Sequence, residues 1–381
     1  MSDNGWVSDE SFGDIPLFRE LQKLLTSGSG PVNLELARQV AGALANEGGA
    51  ESRPRAALES AFAEDVRTAE LYLSGFTRLQ VDEPALSSLF TRSEWVRESL
   101  AAWGWLFERL ASRFTEAFSQ QSGEESGAGP AQMLGQVVPL LSGIQVGTMV
   151  GQLSREALGR YDLPIPRDDT GKLFLVQRNA EEVATEYGLP IDEFVRWIAL
   201  KEVGLNLVFS SASWTVRFLR SALGDLIDSV EFDMADMERR LMEMQTQGME
   251  SVRPDTMLPI VQTERHRAAH ARLRSFITLA EGYASHASAQ VGAEILPTWG
   301  RIDEAMTRRA ATPSDGKSAL TSLLGLSVDR ALVSAGRTFC AAVIDRAGIA
   351  VLNEVWAAPD NLPTEAEIKD PFAWMERVPA G

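Results

Sequence analysis

Apolar residues recur at every third or fourth position over most of the chain, which is the period of an amphipathic α-helix. Asn33 comes directly before the first of these stretches, and its short polar side chain is typical of a helix N-cap. We also expect Asn179 to cap a helix that ends at 188–190, a Gly-Leu-Pro stop signal. The chain is therefore predicted to be mainly α-helical. The main predicted helices lie at 34–41, 58–73, 95–106, 179–187, 191–209, 213–227 and 264–286.

Two short segments have the composition of β-strands. They are Tyr161–Pro164 and Leu173–Val176, and the turn-rich stretch 167–171 separates them. Two strands that are joined by a short turn form an antiparallel hairpin. We therefore expect one small antiparallel β-hairpin in an otherwise helical protein.

An uncharged stretch from Gly127 to Ser154 is long enough to span a membrane. Glutamines and prolines interrupt it, and no aromatic or basic belt flanks it, so we predict a buried helix instead. Gly143, Gly147 and Gly151 recur at every fourth position, which leaves one face without side chains and lets another backbone approach closely. The same face could instead join two copies of the chain into an oligomer.

Composition divides the chain into four segments. Residues 1–30 form an acidic, flexible tail, and residues 31–120 form an N-terminal layer of helices. Residues 121–129 form a flexible loop, because serine, glycine and glutamate offer too little apolar surface to offset the entropy lost on ordering. Residues 130–381 form the main helical region.

The chain carries a net charge of −17, from 36 basic and 53 acidic side chains. Such a charge repels phosphate backbones and anionic membranes, so we expect neither nucleic acid nor a membrane as a partner. The one cysteine, Cys340, has apolar neighbours and is expected to be a core residue. A single cysteine cannot form an internal disulfide, and the N-terminus lacks the pattern of a signal peptide. These features predict a cytoplasmic protein.

The segment Lys201-Glu202-Val203-Gly204-Leu205 has the spacing of an HExxH zinc motif on a predicted helix. In that motif, two histidines four residues apart bind zinc from one helix face, and the glutamate acts as the general base. Glu202 stands at the position of the base, but Lys201 and Leu205 stand at the positions of the histidines. Leucine has no donor atom, and a protonated lysine cannot coordinate a metal. The sequence therefore predicts no metal and no other cofactor here.

Several segments, in this order and at similar spacings, match one family of proteins. They are GPVNLELARQVA, RSEWVRESLAAW, YDLPIP, ALKEVGLNLVF, LAEGYASHA, LLGL and WAAPDNLPTEAEIKDP. On these segments the chain resembles the actinobacterial zinc-dependent-metalloprotease-like family of uncharacterised hydrolases, of which it looks like a degenerate member. The resemblance implies a zincin-like fold over 130–381 and zinc in intact relatives. It also implies that Glu281 matches the downstream acidic ligand.

Glu281 would face Lys201 if the helices are arranged as this resemblance implies. The lysine ammonium could then replace the lost metal charge through an ion pair, since an unpaired buried carboxylate is costly. Alternatively, Lys201 extends to solvent and Leu205 packs in the core. His286, five residues after Glu281, could lie near the same pocket as a ligand or base.

His266 and His270 are four residues apart on a predicted helix, which is a possible spacing for metal ligands. Arginines crowd the same segment at 265, 267, 272 and 274. Runs of charge usually lie on a solvated face. We therefore predict an exposed basic face here and no metal site.

Two functions remain open at this point. The first is a catalytically inactive pseudoenzyme that binds a protein or peptide, through the old cleft or its acidic surface, as a scaffold or regulatory module. The alternative is an active metal-dependent hydrolase or peptidase with a non-standard site drawn from Glu202, Glu281 or His286. The metal content of the purified protein distinguishes the two.

Overall fold

The structure is a computed structural model. Of the tail expected at 1–30, only residue 30 belongs to the described residues. Of the loop expected at 121–129, residues 122–127 lie outside the described residues, and residues 121, 128 and 129 are helical. The described residues are 30–49, 51–121, 128–167, 171–231, 263–312, 314–324 and 328–378, with the single positions 233, 236, 239 and 261.

The protein is mainly α-helical, as predicted, with one small β-sheet. Two 3₁₀ turns, Glu354–Trp356 and Pro359–Asn361, lie among the C-terminal helices. The strands are β1 (Leu86–Phe90) and β2 (Lys172–Val176). The helices are α1 (Leu34–Ala45), α2 (Ala56–Thr77), α3 (Arg92–Gln121), α4 (Ala128–Ser154), α5 (Gln177–Glu186), α6 (Ile191–Ser211), α7 (Thr215–Asp228), α8 (Glu264–Ile295), α9 (Trp299–Ala311), α10 (Asp315–Leu324), α11 (Arg330–Ala347), α12 (Ile349–Asn353), α13 (Glu365–Lys369) and α14 (Pro371–Arg377).

Helices α1 and α4 pack with their backbones in close contact. A Cβ atom at Gly143 would lie 2.6 Å from the carbonyl oxygen of Asn33, and one at Gly147 would lie 2.6 Å from that of Ala37. Gly151 also faces α1, where a Cβ atom would lie 2.7 Å from the Cβ of Leu44 and 3.1 Å from the Cα of Ala41. The close backbone approach predicted from the glycine spacing is therefore confirmed. Because the contact is made within one chain, α1 covers the face that we considered for an oligomer.

Helix α4 turns another face toward solvent. Leu141 is 60% exposed and Ile144 is 46% exposed, whereas Val150 is fully buried. Among the helices in the described part of the chain, none has the length and apolar character needed to cross a membrane. Over its described residues, 128–154, the uncharged stretch forms α4, so the predicted helix is present.

Helix α6 lies at the centre of the protein, between α2 and α8. Most of its residues are buried, from Phe194 to Val208. Gly204 allows a close approach to α8, because a Cβ atom there would lie 3.3 Å from the carbonyl oxygen of Ala284. Nearby, the hydroxyl of Ser288 donates to the carbonyl of Leu200 at 3.1 Å. The helix that carries the HExxH-like segment is therefore part of the core.

Helices α8 and α11 cross at two glycines. A Cβ atom at Gly336 would overlap the carbonyl oxygen of Thr278 and lie 2.8 Å from the Cα of Gly282. A side chain at either glycine would push the helices apart, since real Cβ atoms do not approach so closely. The crossing therefore fixes the position of α8, on which Glu281 lies.

The sheet differs from the prediction. Strand β2 contains the segment predicted at 173–176, but its partner is β1, which runs parallel to it with Leu86 opposite Lys172 and Phe90 opposite Val176. The predicted antiparallel hairpin is therefore wrong.

The segment 161–164 forms no strand and follows a single antiparallel bridge between Gly159 and Leu175. The physical reason is that the backbone N–H groups of Arg160 and Tyr161, where the segment begins, donate to the carboxylate of Glu202 on α6 and not to a neighbouring strand. The segment crosses α6 instead of pairing with β2.

The two asparagines expected to cap helices have different roles. Asn33 caps α1, because its side chain accepts a hydrogen bond from a backbone N–H three residues later. Asn179 is not a cap, since α5 begins two residues before it. Its amide donates to the carbonyls of Ser154 and Ala157 at 2.8 and 2.6 Å, and its oxygen accepts from Arg92 at 2.6 Å. This buried side chain therefore holds the chain just before it crosses α6.

Candidate functional site on helix α6

Helix α6 places Lys201 and Leu205, the residues at the histidine positions of an HExxH spacing, in different surroundings. Leu205 is 3% exposed and belongs to the core. Lys201 is partly exposed, and its Nζ lies 5.3 Å from the centre of the Trp197 ring, one turn earlier on the same helix. Such a contact between an ammonium and an indole face is a favourable cation–π interaction. A core leucine and a cation thus stand where an HExxH helix has its histidines.

Glu202 is buried at 4% exposure, and both of its carboxylate oxygens are bound by backbone. Oε2 accepts from the N–H of Arg160 at 2.9 Å, and Oε1 accepts from the N–H of Tyr161 at 3.1 Å. A general base needs an oxygen within hydrogen-bond reach of its water. Here backbone N–H groups occupy the places beside both carboxylate oxygens where such a water would bind.

Gly159 makes this contact possible. A Cβ atom at this position would overlap the carboxylate of Glu202. The carbonyl of Gly159 also accepts from Nε1 of Trp95 at 3.4 Å, which ties the segment to α3. The contact between Glu202 and the backbone therefore depends on a residue without a side chain.

The pKa of Glu202 is raised to about 8. Burial is the largest cause, and the nearby carboxylate of Asp162 raises the pKa further. The two backbone N–H groups and Lys201 act in the opposite direction. Burial disfavours the charged form of a carboxyl group. At neutral pH the protonated form of Glu202 is therefore the more populated one.

We call residues 158–167 the crossing segment, because they cross α6 above Glu202. The ring of Tyr161 stacks on Phe209 with centres 5.5 Å apart, and its hydroxyl donates to Oδ1 of Asn206 at 3.2 Å. At the other end, Arg167 donates to the hydroxyl of Ser99 at 2.7 Å. Contacts with both α6 and α3 therefore hold the crossing segment in place.

A small cavity remains between the crossing segment and helices α6, α7 and α8. Its volume is about 30 Å³. A water molecule needs roughly 10–15 Å³ of such volume, so the cavity has room for two or three. Its lining is mostly apolar and includes Leu205, Phe209, Phe276 and Ile277, with Glu281 at one side. Leu205 and Glu281 therefore face the same space.

Glu281 and Lys201 interact without direct contact. Burial raises the pKa of Glu281, the Lys201 ammonium lowers it and the Asp162 carboxylate raises it. Among the ion pairs of 4 Å or less between described residues, none joins Glu281 to Lys201. The ion pair that was one of the two alternatives for Lys201 is therefore not formed at contact distance. Partial exposure of Lys201 and burial of Leu205 fit the other alternative better.

Two charged residues at this site were missed from the sequence, Asp162 on the crossing segment and Lys317 on α10. Burial lowers the pKa of Lys317, while Asp162 raises it and Lys201 lowers it. Helix α10 approaches the site because Gly316 lies against the backbone of Leu153. A Cβ atom at Gly316 would lie 2.9 Å from the backbone nitrogen of Leu153. The glycine beside Lys317 was the only local signal for this approach.

The structure does not bring His286 to Glu202. Its ring lies 6.1 Å from that of Phe76 on α2. Burial lowers the pKa of His286, and the charges that act on it are those of Arg337 and Asp345 on α11. Five residues turn an α-helix by about 140° beyond a full turn, so His286 and Glu281 lie on different faces of α8.

Cys340 is fully buried in α11, as expected for a core residue. Burial raises the pKa of its thiol strongly. A thiolate is the reactive form of cysteine. The geometry therefore gives no support to a nucleophilic role for Cys340.

The predicted exposed face at His266 and His270 is wrong for the first histidine. His266 is 5% exposed, and its Nδ1 lies 3.1 Å from the hydroxyl of Ser229 at the end of α7. The neighbouring arginines point to other sides of the helix, because successive residues are separated by about 100°. His270 is partly exposed.

The buried position of His266 gives the protein an acid-sensitive contact. Burial lowers the pKa of His266, and His270 lowers it further. Neutral His266 therefore stabilises the folded protein above the unfolded pKa of about 6.5, and this stabilisation is lost as the pH falls. We expect acidification from about pH 7.5 to 5.5 to lower the melting temperature of the wild type more than that of His266→Gln. Parallel losses in the wild type and His266→Gln would contradict this.

The profile of a family described as zincin-like metallopeptidase matches residues 32–375. The chain belongs to this zincin-like family. A crystal structure from Chloroflexus aurantiacus, described as "a putative hydrolase with a novel fold", is similar with a TM-score of 0.68 and 24% identity over 91% of this chain and 98% of that one. At this identity the likeness shows a shared fold. A search of curated proteins gives no match.

Membership of the zincin-like family implies zinc at α6, but the residues present here do not fit it. A catalytic zinc has three protein ligands and a water. Leu205 offers no donor atom, Lys201 offers an ammonium, and both oxygens of Glu202 accept from backbone. Within the described part of the chain, no group of three or more His, Cys, Asp or Glu side chains is arranged to hold a metal.

Proposed function

We propose that this chain is a catalytically inactive, metal-free member of the zincin-like family that binds a protein or peptide as a scaffold or regulatory module. The observation that supports this best is the buried carboxylate of Glu202, whose two oxygens accept from the backbone of Arg160 and Tyr161. In an active enzyme that carboxylate must act on a water beside the metal. The substitutions at 201 and 205 remove the ligands for the metal.

The shape of the old cleft supports binding at the surface. The cavity between the crossing segment and helices α6, α7 and α8 has a volume of only about 30 Å³, which cannot hold an extended peptide. The net charge of −17 favours a basic partner, because complementary charges speed encounter and exclude partners of like charge. We therefore infer that a macromolecular partner binds the acidic surface. The cytoplasmic location expected from the sequence stays a prediction.

Elemental analysis of protein purified without a metal-affinity step tests the metal-free state. We expect no stoichiometric zinc, and no shift in melting temperature on addition of zinc or a chelator. A ligand that binds only the folded state raises its stability, by about 2.7 kcal/mol at one hundred times its Kd. An active zincin that is treated in parallel should lose stability in the chelator.

Near-equimolar zinc together with destabilisation by the chelator would overturn the proposal. The ligands would then have to include histidines outside the HExxH-like segment. His286→Gln, His266→Gln and His270→Gln, each analysed for zinc, would identify them. Proteolysis of a casein substrate by protein that retains zinc would establish the active alternative.

A further inference from the structure

Strand β1 lies at an edge of the sheet. Within the described residues the sheet has two strands, and β1 pairs with β2 along one side. The N–H of Leu86 donates to the carbonyl of Gly171, just before β2, at 2.7 Å. Backbone groups of successive residues point alternately to the two sides of a strand, so those of Leu86 and Ser88 face β2. The N–H and C=O groups of Ser87 and Leu89 therefore point away from β2.

The outer side of β1 has no hydrogen-bond partner in the described part of the chain. No backbone or side-chain group there donates to the main chain of Ser87 or Leu89, or accepts from it. The far side of β2 is covered, since the N–H of Val176 donates to the carbonyl of Leu158 at 2.9 Å. A row of unpaired N–H and C=O groups at a sheet edge is a template for one more strand.

This edge is separate from the candidate site on α6. Strand β2 pairs with β1 on one side and meets the crossing segment on the other, through the bridge between Gly159 and Leu175. The crossing segment in turn contacts Glu202. The open edge therefore lies on the side of β2 that is away from Glu202.

Carboxylates from two helices bind the backbone at the two ends of β1. Oε1 of Glu70 on α2 accepts from the N–H of Ala85 at 2.7 Å, and Oε2 of Glu94 on α3 accepts from the N–H of Thr91 at 2.7 Å. The unpaired groups form one row between these two contacts. Strand β1 has five residues, which is a usual length for a strand. The edge therefore fits a short extended peptide.

The side chains near the edge indicate which peptide fits. Leu86 is 69% exposed, so an apolar side chain on an added strand would bury apolar surface against it. Asp82 and Glu83 are exposed shortly before β1. Among ion pairs of 4 Å or less within the described residues, none includes either carboxylate. Basic residues of a partner could therefore pair with them without displacing another cation.

We propose that an extended, basic segment of a partner protein adds to β1 as a third strand. The segment pairs with the main chain of Ser87 and Leu89 and runs antiparallel to β1, because antiparallel pairs are slightly more stable than parallel ones. Its apolar side chain contacts Leu86, and its C-terminal basic residues lie beside Asp82 and Glu83. This inference rests on the proposed function for the class of partner, and it adds the place and the mode of binding.

Fluorescence anisotropy of a labelled synthetic peptide with the full-length protein tests the proposal. The probe is Thr-Val-Thr-Val-Thr-Lys-Arg-amide with the label at its N-terminus, which combines strand-forming residues with a basic C-terminal end. We expect saturable binding at about 1 mM or below. The same peptide with proline in place of the second valine keeps the charge but pairs poorly as a strand. It should bind roughly tenfold more weakly.

Substitutions on β1 assign the binding to its outer edge. Ser87→Pro removes an N–H that points away from β2, a position at which edge strands tolerate proline. We expect this variant to fold and to bind the probe roughly tenfold more weakly. Ser87→Ala keeps the N–H, so this matched control should bind the probe as the wild type does. Ser88→Pro removes an N–H that faces β2, and it should lower the melting temperature.

The proposal is wrong if the probe does not bind at millimolar concentration, or if a folded Ser87→Pro protein binds it as tightly as the wild type. A wild-type dimer that Ser87→Pro converts to a monomer in sedimentation velocity would also overturn it, since a second copy would then occupy the edge. If Ser87→Pro does not fold, the two peptides with the wild type decide the question. The zinc measurement above is separate, so failure here leaves the proposed function standing.

Discussion

Replacement of Gly336 by alanine is expected to lower the free energy of unfolding by about 3 kcal/mol, the upper part of the usual range for overpacking. The added Cβ would overlap the carbonyl oxygen of Thr278 and approach the Cα of Gly282, so the strain falls on two backbones. Backbones cannot move aside as the end of a flexible side chain can. Urea unfolding followed by circular dichroism measures the change.

Gly75→Ala is the matched control for this substitution. Gly75 also lies inside a long helix, α2, but a Cβ atom there meets nothing within 4 Å. Alanine in an open helical position is more stable than glycine by roughly 0.5–1 kcal/mol. The two variants should therefore change stability in opposite directions. Similar small effects for both would show that α8 and α11 are not packed as described.

Glu202→Gln is expected to change how stability depends on pH. The pKa of Glu202 is about 8 in the folded protein and near 4.5 when unfolded. Between these values the folded state holds the proton more tightly, so the wild type loses stability as the pH rises toward 8. A glutamine has no proton to lose there. At about 1.4 kcal/mol per pH unit, the wild type should lose on the order of 2 kcal/mol more than the variant between pH 6 and 8.

Urea unfolding at the two pH values measures this difference. Glu294→Gln, at an exposed position of α8, is the control and should follow the wild type. If the wild type and Glu202→Gln give parallel curves, then Glu202 is already ionised at pH 6. Its contacts with the backbone of Arg160 and Tyr161 would then outweigh the effect of burial.

The helices could be predicted from the sequence because each has a local pattern. The segment from Leu58 to Leu73 has an apolar residue on one side at every turn, and it forms the middle of α2. Asn33 has the side chain of an N-cap and acts as one. Asn179 has the same side chain but lies inside α5, where distant carbonyls bind its amide. Local pattern therefore fails where a partner from elsewhere in the chain competes for a polar group.

The sheet could not be predicted, because its pairing is not local. Strand β1 comes before two long helices, and β2 follows them. A parallel pair needs a long connection, so neither strand carries a signal that identifies its partner. The segment 161–164 has strand composition, yet the N–H of Tyr161 donates to Glu202 on α6. The hydrogen bonds from Arg160 and Tyr161 to Glu202 prevent strand pairing, and they cannot be predicted from strand propensity.

The candidate site was predictable only in part for the same reason. The spacing of Lys201, Glu202 and Leu205 was visible because one helix carries all three. The groups that bind Glu202 are backbone N–H groups, which every residue except proline has, so no residue type indicates them. Asp162 and Lys317 reach the site from other elements through the packing of the chain.

The contact of α1 with α4 has a consequence for synthesis of the protein. Asn33 and Ala37 leave the ribosome well before Gly143 and Gly147, the glycines that they pack against. At ~5–20 residues per second, this interval is on the order of ten seconds. During that time α1 can pack only against α3, and its α4-facing side stays uncovered. A short helix with so little tertiary support is marginal in water. Nascent chains that stall before Gly143 would therefore display α1 to chaperones, whereas chains that pass Gly151 can shield it.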